Sequence, residues 1–285
     1  MNGAAEFLVS TDWLAAHLGE ADLRVLDASW HMAATGRDAR AEFDAGHIPG
    51  ARFFDIDAVS APDSDLPHMA PPPGIFARAL GDLGIGPGHF VVIYDDAATR
   101  SAARAWWTFD LMGWDRVAVL DGGLAKWRAE GRAISTAPVI AVPCDPPALA
   151  PRPGRLRDAA EVAAISAAGG AQILDARSAP RFRGEAPEPR PGLRAGHIPG
   201  ALNLPFDRLY NPDGTMKGAD ALRAEFAAAG LDLTRPVVTT CGSGITAASL
   251  SLALAVLGHD NHALYDGSWT EWGANPDLKI ATGEA

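Results

Sequence analysis

The chain has 285 residues, 48% hydrophobic and 21% charged, with a net charge of −11 and only two cysteines. That length accommodates two domains with ordinary cores, and an acidic balance without a Lys/Arg cluster among aromatics argues against nucleic acid as a partner. Two Cys exclude a disulfide framework, and eight scattered His without a His-x-x-x-His pair point to no metal site.

From the N-terminus, Met1–Glu6 lacks both a basic region and an apolar stretch, and no later run approaches a membrane span. The expectation is a cytoplasmic protein with no membrane partner. Short β-branched or Leu-rich runs predict strands at Arg24–Leu26, Ala51–Phe53, Val91–Tyr94 and Val117–Leu120. Amphipathic segments between them predict helices near Asp12–His17, Gly74–Leu83 and Arg100–Met112. The segment Ala137–Gly154 follows, with Pro138, Pro143, Pro146, Pro147, Pro151 and Pro153, and suits neither helix nor strand. Cys144 lies in it, without a role that the sequence supports. The second half predicts strands at Ile173–Leu174, Ala201–Asn203, Val237–Thr240 and Ala263–Tyr265. Its helices fall near Ala159–Ala168, Asp220–Ala229 and Thr246–Leu257. Strands this short and apolar, separated by helices, predict an α/β fold with parallel sheets covered on both faces.

The two halves are copies. Gly46-His-Ile-Pro-Gly-Ala51 recurs as Gly196-His-Ile-Pro-Gly-Ala201, and Arg24-Val-Leu-Asp-Ala28 as Gln172-Ile-Leu-Asp-Ala176. Phe90-Val-Val-Ile-Tyr-Asp95 corresponds to Pro236-Val-Val-Thr-Thr-Cys241, and Val119–Leu124 with Trp127 to Ala263–Ser268 with Trp272. One order and an offset near 150 throughout indicate a duplicated domain. The boundaries expected are residues 1–136, a linker at 137–154, and 155–285. His47 and His197 recur in both copies, so they are read as turn-fixing residues rather than catalytic bases. The Trp residues at 106, 107, 114, 127, 269 and 272 are read as core.

One stretch breaks the symmetry. Arg235–Gly258 runs from a β-branched strand through Cys241-Gly-Ser-Gly244 into an Ala/Leu/Ser helix. Glycines on a strand-to-helix turn allow successive N–H groups to face one centre, and the helix start adds the positive end of its dipole. A thiol at that point is set up to act as a thiolate nucleophile. The first copy has Asp95 in that place and no glycines, so it keeps the fold without the chemistry.

Two copies bearing Gly-His-Ile-Pro-Gly-Ala, with a Cys loop in the second alone, resemble the tandem-domain rhodanese-type sulfurtransferases. The resemblance spans nearly the whole chain. It implies two α/β domains, the first catalytically inactive, and ping-pong sulfur transfer through a persulfide on Cys241, without a cofactor. Cys241-Gly-Ser-Gly-Ile-Thr246 is similar to the Cys-Gly-Ser-Gly-Val-Thr loop of the 3-mercaptopyruvate-using members, with Ile245 for Val. Thiosulfate-using members carry Arg-Lys where this chain has Gly242-Ser243. The resemblance makes Gly242, Gly244, Ile245 and Thr246 donor-binding loop residues.

A keto acid donor needs its carboxylate held, and Arg is suited to that by its planar fork. Arg181-Phe-Arg-Gly-Glu-Ala-Pro-Glu-Pro-Arg190 supplies candidates, and the resemblance assigns donor binding to Arg181 and Arg190. The alternative is that Arg183 and Arg190 pair with Glu185 and Glu188 on a solvated loop. The resemblance also joins Ser243 to Asp57 and His68 as a proton relay, with the bland alternative that Asp57 caps a helix and His68 is an ordinary loop residue. Expected partners are 3-mercaptopyruvate as donor and a thiol, thioredoxin among them, or cyanide as acceptor. Thiosulfate turnover and a persulfide carrier without turnover are the alternatives. A Cys-based phosphatase would need an Arg closing the loop, and Thr246-Ala247-Ala248 offers none.

Overall fold

Five parallel strands in the first half form a sheet in a computed structural model that describes residues 7–284. The reading of Met1–Glu6 lies outside those residues. The strands are β1 (Leu8–Val9), β2 (Leu23–Asp27), β3 (Arg52–Phe53), β4 (Phe90–Tyr94) and β5 (Val117–Leu120), ordered β1-β5-β4-β2-β3. The second half repeats this with β6 (Leu156–Arg157), β7 (Gln172–Asp175), β8 (Leu202–Asn203), β9 (Val237–Thr240) and β10 (His262–Tyr265), ordered β6-β10-β9-β7-β8. Every pairing is parallel, with Val25 beside Val92 and Leu174 beside Thr239. The central strands β4 and β9 are buried on both faces, which is why they read as continuous apolar runs rather than alternating ones. The two-residue strands β1 and β6 are too short for any pattern to announce them. They exist because β5 and β10 offer an edge to pair with.

Helices cover the sheets: α1 (Thr11–His17), α2 (Ala39–Ala45), α3 (Pro73–Asp82), α4 (Ala102–Leu111) and α5 (Gly123–Ala129) in the first half. The second half has α6 (Ala159–Ala168), α7 (Ala179–Arg183), α8 (Ala219–Ala228), α9 (Ala247–Val256) and α10 (Ser268–Trp272). Asp158 starts α6 with a capping box to Glu161. Helix α9 has no polar face because nearly all its residues are buried. Its serines are satisfied internally, Ser249 Oγ accepting from the Tyr210 hydroxyl at 3.0 Å and Ser251 Oγ lying 2.9 Å from Thr239 Oγ1. Trp106, Trp107, Trp127, Trp269 and Trp272 are core residues, and Trp114 is half-buried. Among the described residues, no helix is long and apolar enough to cross a membrane.

The repeated histidines fix turns. His47 stacks on Phe43 and its Nδ1 lies 2.8 Å from the Phe43 carbonyl; His197 does the same with Phe182 at 2.8 Å. Their backbones bridge to Ser135 and Ala281. Burial also holds His197 below the ordinary histidine pKa, which keeps it a neutral packing residue.

The chain divides into two units that do not follow the repeat boundary. Of the described residues, the first comprises those up to Pro62, Ala70–Arg152 and Pro212–Met216; the second comprises Asp63–Met69, Pro153–Asn211 and those from Lys217 on. Each unit therefore takes up a short segment from the other half of the sequence, and the two segments lie at corresponding places in the repeats. In the first unit, Met216 N donates to Asp121 Oδ1 at 2.7 Å. Residues 136–152 form neither helix nor strand and run along the first unit. Cys144 N donates to Gly81 O at 2.9 Å, and Arg152 pairs with Asp110 at 2.6 Å.

At the end of β4 stands Asp95. Its carboxylate accepts from Ala102 N, the first residue of α4, at 2.7 Å and from Ala97 N at 3.3 Å. Burial pushes its pKa up to about 6 against these stabilising N–H groups. The folded state thus holds a proton that the unfolded chain loses near 3.8, and this residue's contribution to stability falls as pH rises between those values. Relative to Asp95→Asn, the native protein is expected to lose up to about 3 kcal/mol between pH 4 and 7 in denaturant unfolding. A pH-independent difference between the two proteins would contradict that assignment.

Candidate active site

Cys241 follows β9 directly, at the carboxyl end of the central strand, where open parallel sheets place their ligands. The loop from Gly242 to Thr246 leads into α9, and Cys241, Ser243 and Ile245 are all buried. Gly244 has φ 80°, a conformation that strongly favours glycine. Gly242 has no such need. A Cβ there would stand 3.1 Å from Arg181 Nη2, so its missing side chain admits the guanidinium to the loop.

Helix α10 holds the loop from the other side. Trp269 N donates to Cys241 O at 3.0 Å, while Thr270 donates to Gly242 O from N at 2.9 Å and from Oγ1 at 2.6 Å. Cys241 N donates to Ser268 Oγ at 3.3 Å, and that hydroxyl donates to Tyr265 O at 2.8 Å. A trans peptide carries its N–H opposite its carbonyl. Fixing these two carbonyls toward α10 therefore turns the N–H groups of Gly242 and Ser243 away from it, as donors available to an anion. The sister loop shows what such a turn accepts: there, the Asp95 carboxylate takes N–H groups from the loop and from the helix start.

Arg181 lies in α7, and Glu188 accepts from both its Nε (3.3 Å) and its Nη2. Arg190 Nη2 lies 3.5 Å from His68 Nε2, and both residues belong to the second unit. His68 is one of three non-glycine residues with left-handed backbone among the described residues, at φ 61°. Asp57 belongs to the first unit, where its carboxylate accepts from Trp30 Nε1 at 2.9 Å. Arg183 pairs with Glu185 at 2.7 Å, as the solvated-loop alternative has it, but Glu188 turns inward. Sequence reading missed Glu188, Arg177, Ser268, Trp269 and Thr270. Setting the repeats side by side carries a signal for one of them, since Asp27-Ala-Ser29 faces Asp175-Ala-Arg177.

Comparison with known proteins gives a consistent picture. The description Rhodanese-like domain matches residues 10–130 and 158–275. The chain is 43% identical over 277 residues to 3-mercaptopyruvate sulfurtransferase of Escherichia coli strain K12, covering 96% of this chain and 97% of that protein. It is 38% identical over 286 residues to the thiosulfate sulfurtransferase of Bos taurus, covering 97% and 96%. The crystal structure of the 3-mercaptopyruvate sulfotransferase SseA from Escherichia coli superposes with a TM-score of 0.82 at 39% identity, covering 93% of this chain and 99% of that one.

The two loop glycines separate in what they tolerate. Gly244→Ala forces a Cβ into left-handed backbone and is expected to cost about 1 kcal/mol or more in unfolding free energy, and Gly242→Ala less than half of that. Equal losses would show that Gly242, too, is held by its backbone rather than by the approach of Arg181.

Proposed function

Because this chain belongs to the rhodanese family of sulfurtransferases, in its tandem-domain form, we propose that its donor is 3-mercaptopyruvate and that Cys241 carries the sulfur. Overall identity does not choose the donor, since relatives using 3-mercaptopyruvate and thiosulfate stand at 43% and 38%. The observation that carries the choice is Arg181 lying against Gly242. Cationic recognition is thereby supplied from the 181–190 segment, and the loop positions 242 and 243 bear no charge of their own. This suits a monoanionic keto acid, whose carboxylate matches the fork of an arginine. An inorganic dianion would call for cations within the loop.

In the first half-reaction, the Cys241 thiolate attacks the donor sulfur. An S–S bond forms, the C–S bond breaks, and its electron pair passes into the carbon skeleton as the enolate of pyruvate. The N–H groups of Gly242 and Ser243 stabilise the anionic sulfur held in the loop. Arg181 and Arg190 hold the carboxylate. The enolate takes a proton to become pyruvate, and this step is assigned to the Ser243 hydroxyl with His68. Asp57 keeps its orienting role as an expectation of the resemblance. In the second half-reaction, an acceptor thiolate attacks the outer sulfur, which leaves as the acceptor persulfide and restores the Cys241 thiolate. Thioredoxin-type thiols fit that acceptor class, and cyanide would attack the same outer sulfur through carbon, leaving as thiocyanate and restoring the same Cys241 thiolate.

A donor comparison tests the reading most directly. With a thiol acceptor, kcat/KM for 3-mercaptopyruvate is expected to exceed that for thiosulfate by about tenfold or more. A preference for thiosulfate would overturn the donor assignment. Cys241→Ser is expected to abolish transfer with either donor, and retained turnover would remove it as nucleophile. Arg181→Ala is expected to raise KM for the keto acid about tenfold, the loss of one charge-assisted contact. A change in melting temperature alone would contradict carboxylate anchoring.

A further inference from the structure

The second unit contains a guanidinium whose side chain has no exposed surface, that of Arg177. It donates to Asp175 from Nε and Nη2 (2.7 Å for the latter), to Gly196 O from Nη2 at 2.8 Å, and to Glu188 Oε1 from Nη1 at 2.8 Å. Its flat face lies over the Trp269 ring, 4.2 Å from the centroid. The Glu188 side chain is itself 98% buried, and its two oxygens are shared between Arg177 and Arg181. An unbroken chain of ion pairs thus runs Asp175–Arg177–Glu188–Arg181, and its last member rests against Gly242 of the Cys241 loop.

The fold does not need this chain. The first repeat keeps the same aspartate at the same strand end, but Ser29 stands where the second has Arg177. Asp27 is satisfied there by Ser29 N at 2.9 Å, and burial raises its pKa. The first repeat also lacks room for a Glu188. Four residues take Phe43 to His47, whereas fifteen take Phe182 to His197, although each His stacks on its Phe and meets the same carbonyl. The additional length carries Glu188 and Arg190. Both the buried guanidinium and the segment that reaches it are confined to the copy that has the thiol.

We infer that Arg177 and Glu188 are positioning residues that hold the Arg181 guanidinium over the Cys241 loop before the donor arrives; this rests on the proposed meeting of Arg181 with the donor anion. A free arginine side chain loses rotamer freedom when it grips a ligand, and fixing it beforehand removes that cost from binding. Glu188 engages Nε and one N–H of Nη2 of Arg181, which leaves the fork formed by Nη1 and the second Nη2 N–H for the donor carboxylate. Arg177 keeps Glu188 in place from behind. Trp269 joins the two halves of the device, because its ring covers Arg177 while its backbone N–H holds Cys241 O.

A double-mutant cycle decides the question. Glu188→Gln is expected to raise KM for 3-mercaptopyruvate about tenfold while kcat changes less than about threefold, and to add nothing in the Arg181→Ala background. If Glu188→Gln does not fold, Glu188→Asp takes its place, since a shorter carboxylate cannot span Arg177 and Arg181 together. An independent rise in KM on top of Arg181→Ala would overturn the inference. So would a lower melting temperature with unchanged KM. The cycle is run in parallel with thiosulfate. Should the native protein prefer that donor, the donor assignment falls, and the coupling measured with the preferred donor still decides the positioning role.

Discussion

A buried guanidinium is tolerated only where its charge and its donors are met on the spot. Arg177 meets that demand by gathering four parts of the second unit around itself: the end of β7 through Asp175, the turn carbonyl of Gly196, the inserted segment through Glu188, and α10 through the ring of Trp269. Burial disfavours its charge, but the two carboxylates outweigh that and hold its pKa above the ordinary arginine value. Removing either carboxylate would leave an uncompensated ion, so these elements are fixed relative to one another more tightly than apolar contact alone would fix them. The Cys241 loop inherits that order from both sides, from Arg181 and from Trp269.

Duplication supplies an internal control on which features belong to the fold and which to the chemistry. Strand order, the stacked His–Phe turn and the glycine-rich approach to the last helix are common to both copies. The ion-pair chain, the added segment and the thiol are not. In the first copy a carboxylate sits where the thiol would be and uses the N–H groups itself, so the turn is satisfied from within. Its raised pKa reflects burial, which outweighs the N–H groups of Ala102 and Ala97 and the charge of Arg100.

Most of the architecture was legible because long-range pairing follows from apolar runs of the right length. Phe90–Tyr94 and Val237–Thr240 are unmistakable as central strands, and the repeat ties each to its counterpart. Leu8–Val9 and Leu156–Arg157 were not legible, since two residues carry no period and their state is decided by the neighbouring edge. Of the candidate site, Cys241 and its glycines could be read from local backbone needs. Glu188 could not, because a glutamate between two prolines reads as solvent-facing loop. Only the tertiary position of Arg177 turns it inward. The exchange of 63–69 and 212–216 was equally invisible, as nothing in those residues records which half they pack with.

That exchange makes the chain indivisible in a way the repeat conceals. Severing it within 137–154 would separate two similar sequences but not two finished bodies. The later piece would lack Asp63–Met69, and with them His68, while the earlier one would lack the Pro212–Met216 segment whose backbone meets Asp121. The thiol is present in one copy only, and the other keeps Asp95 in its place. Each unit is completed by residues from the other half of the sequence.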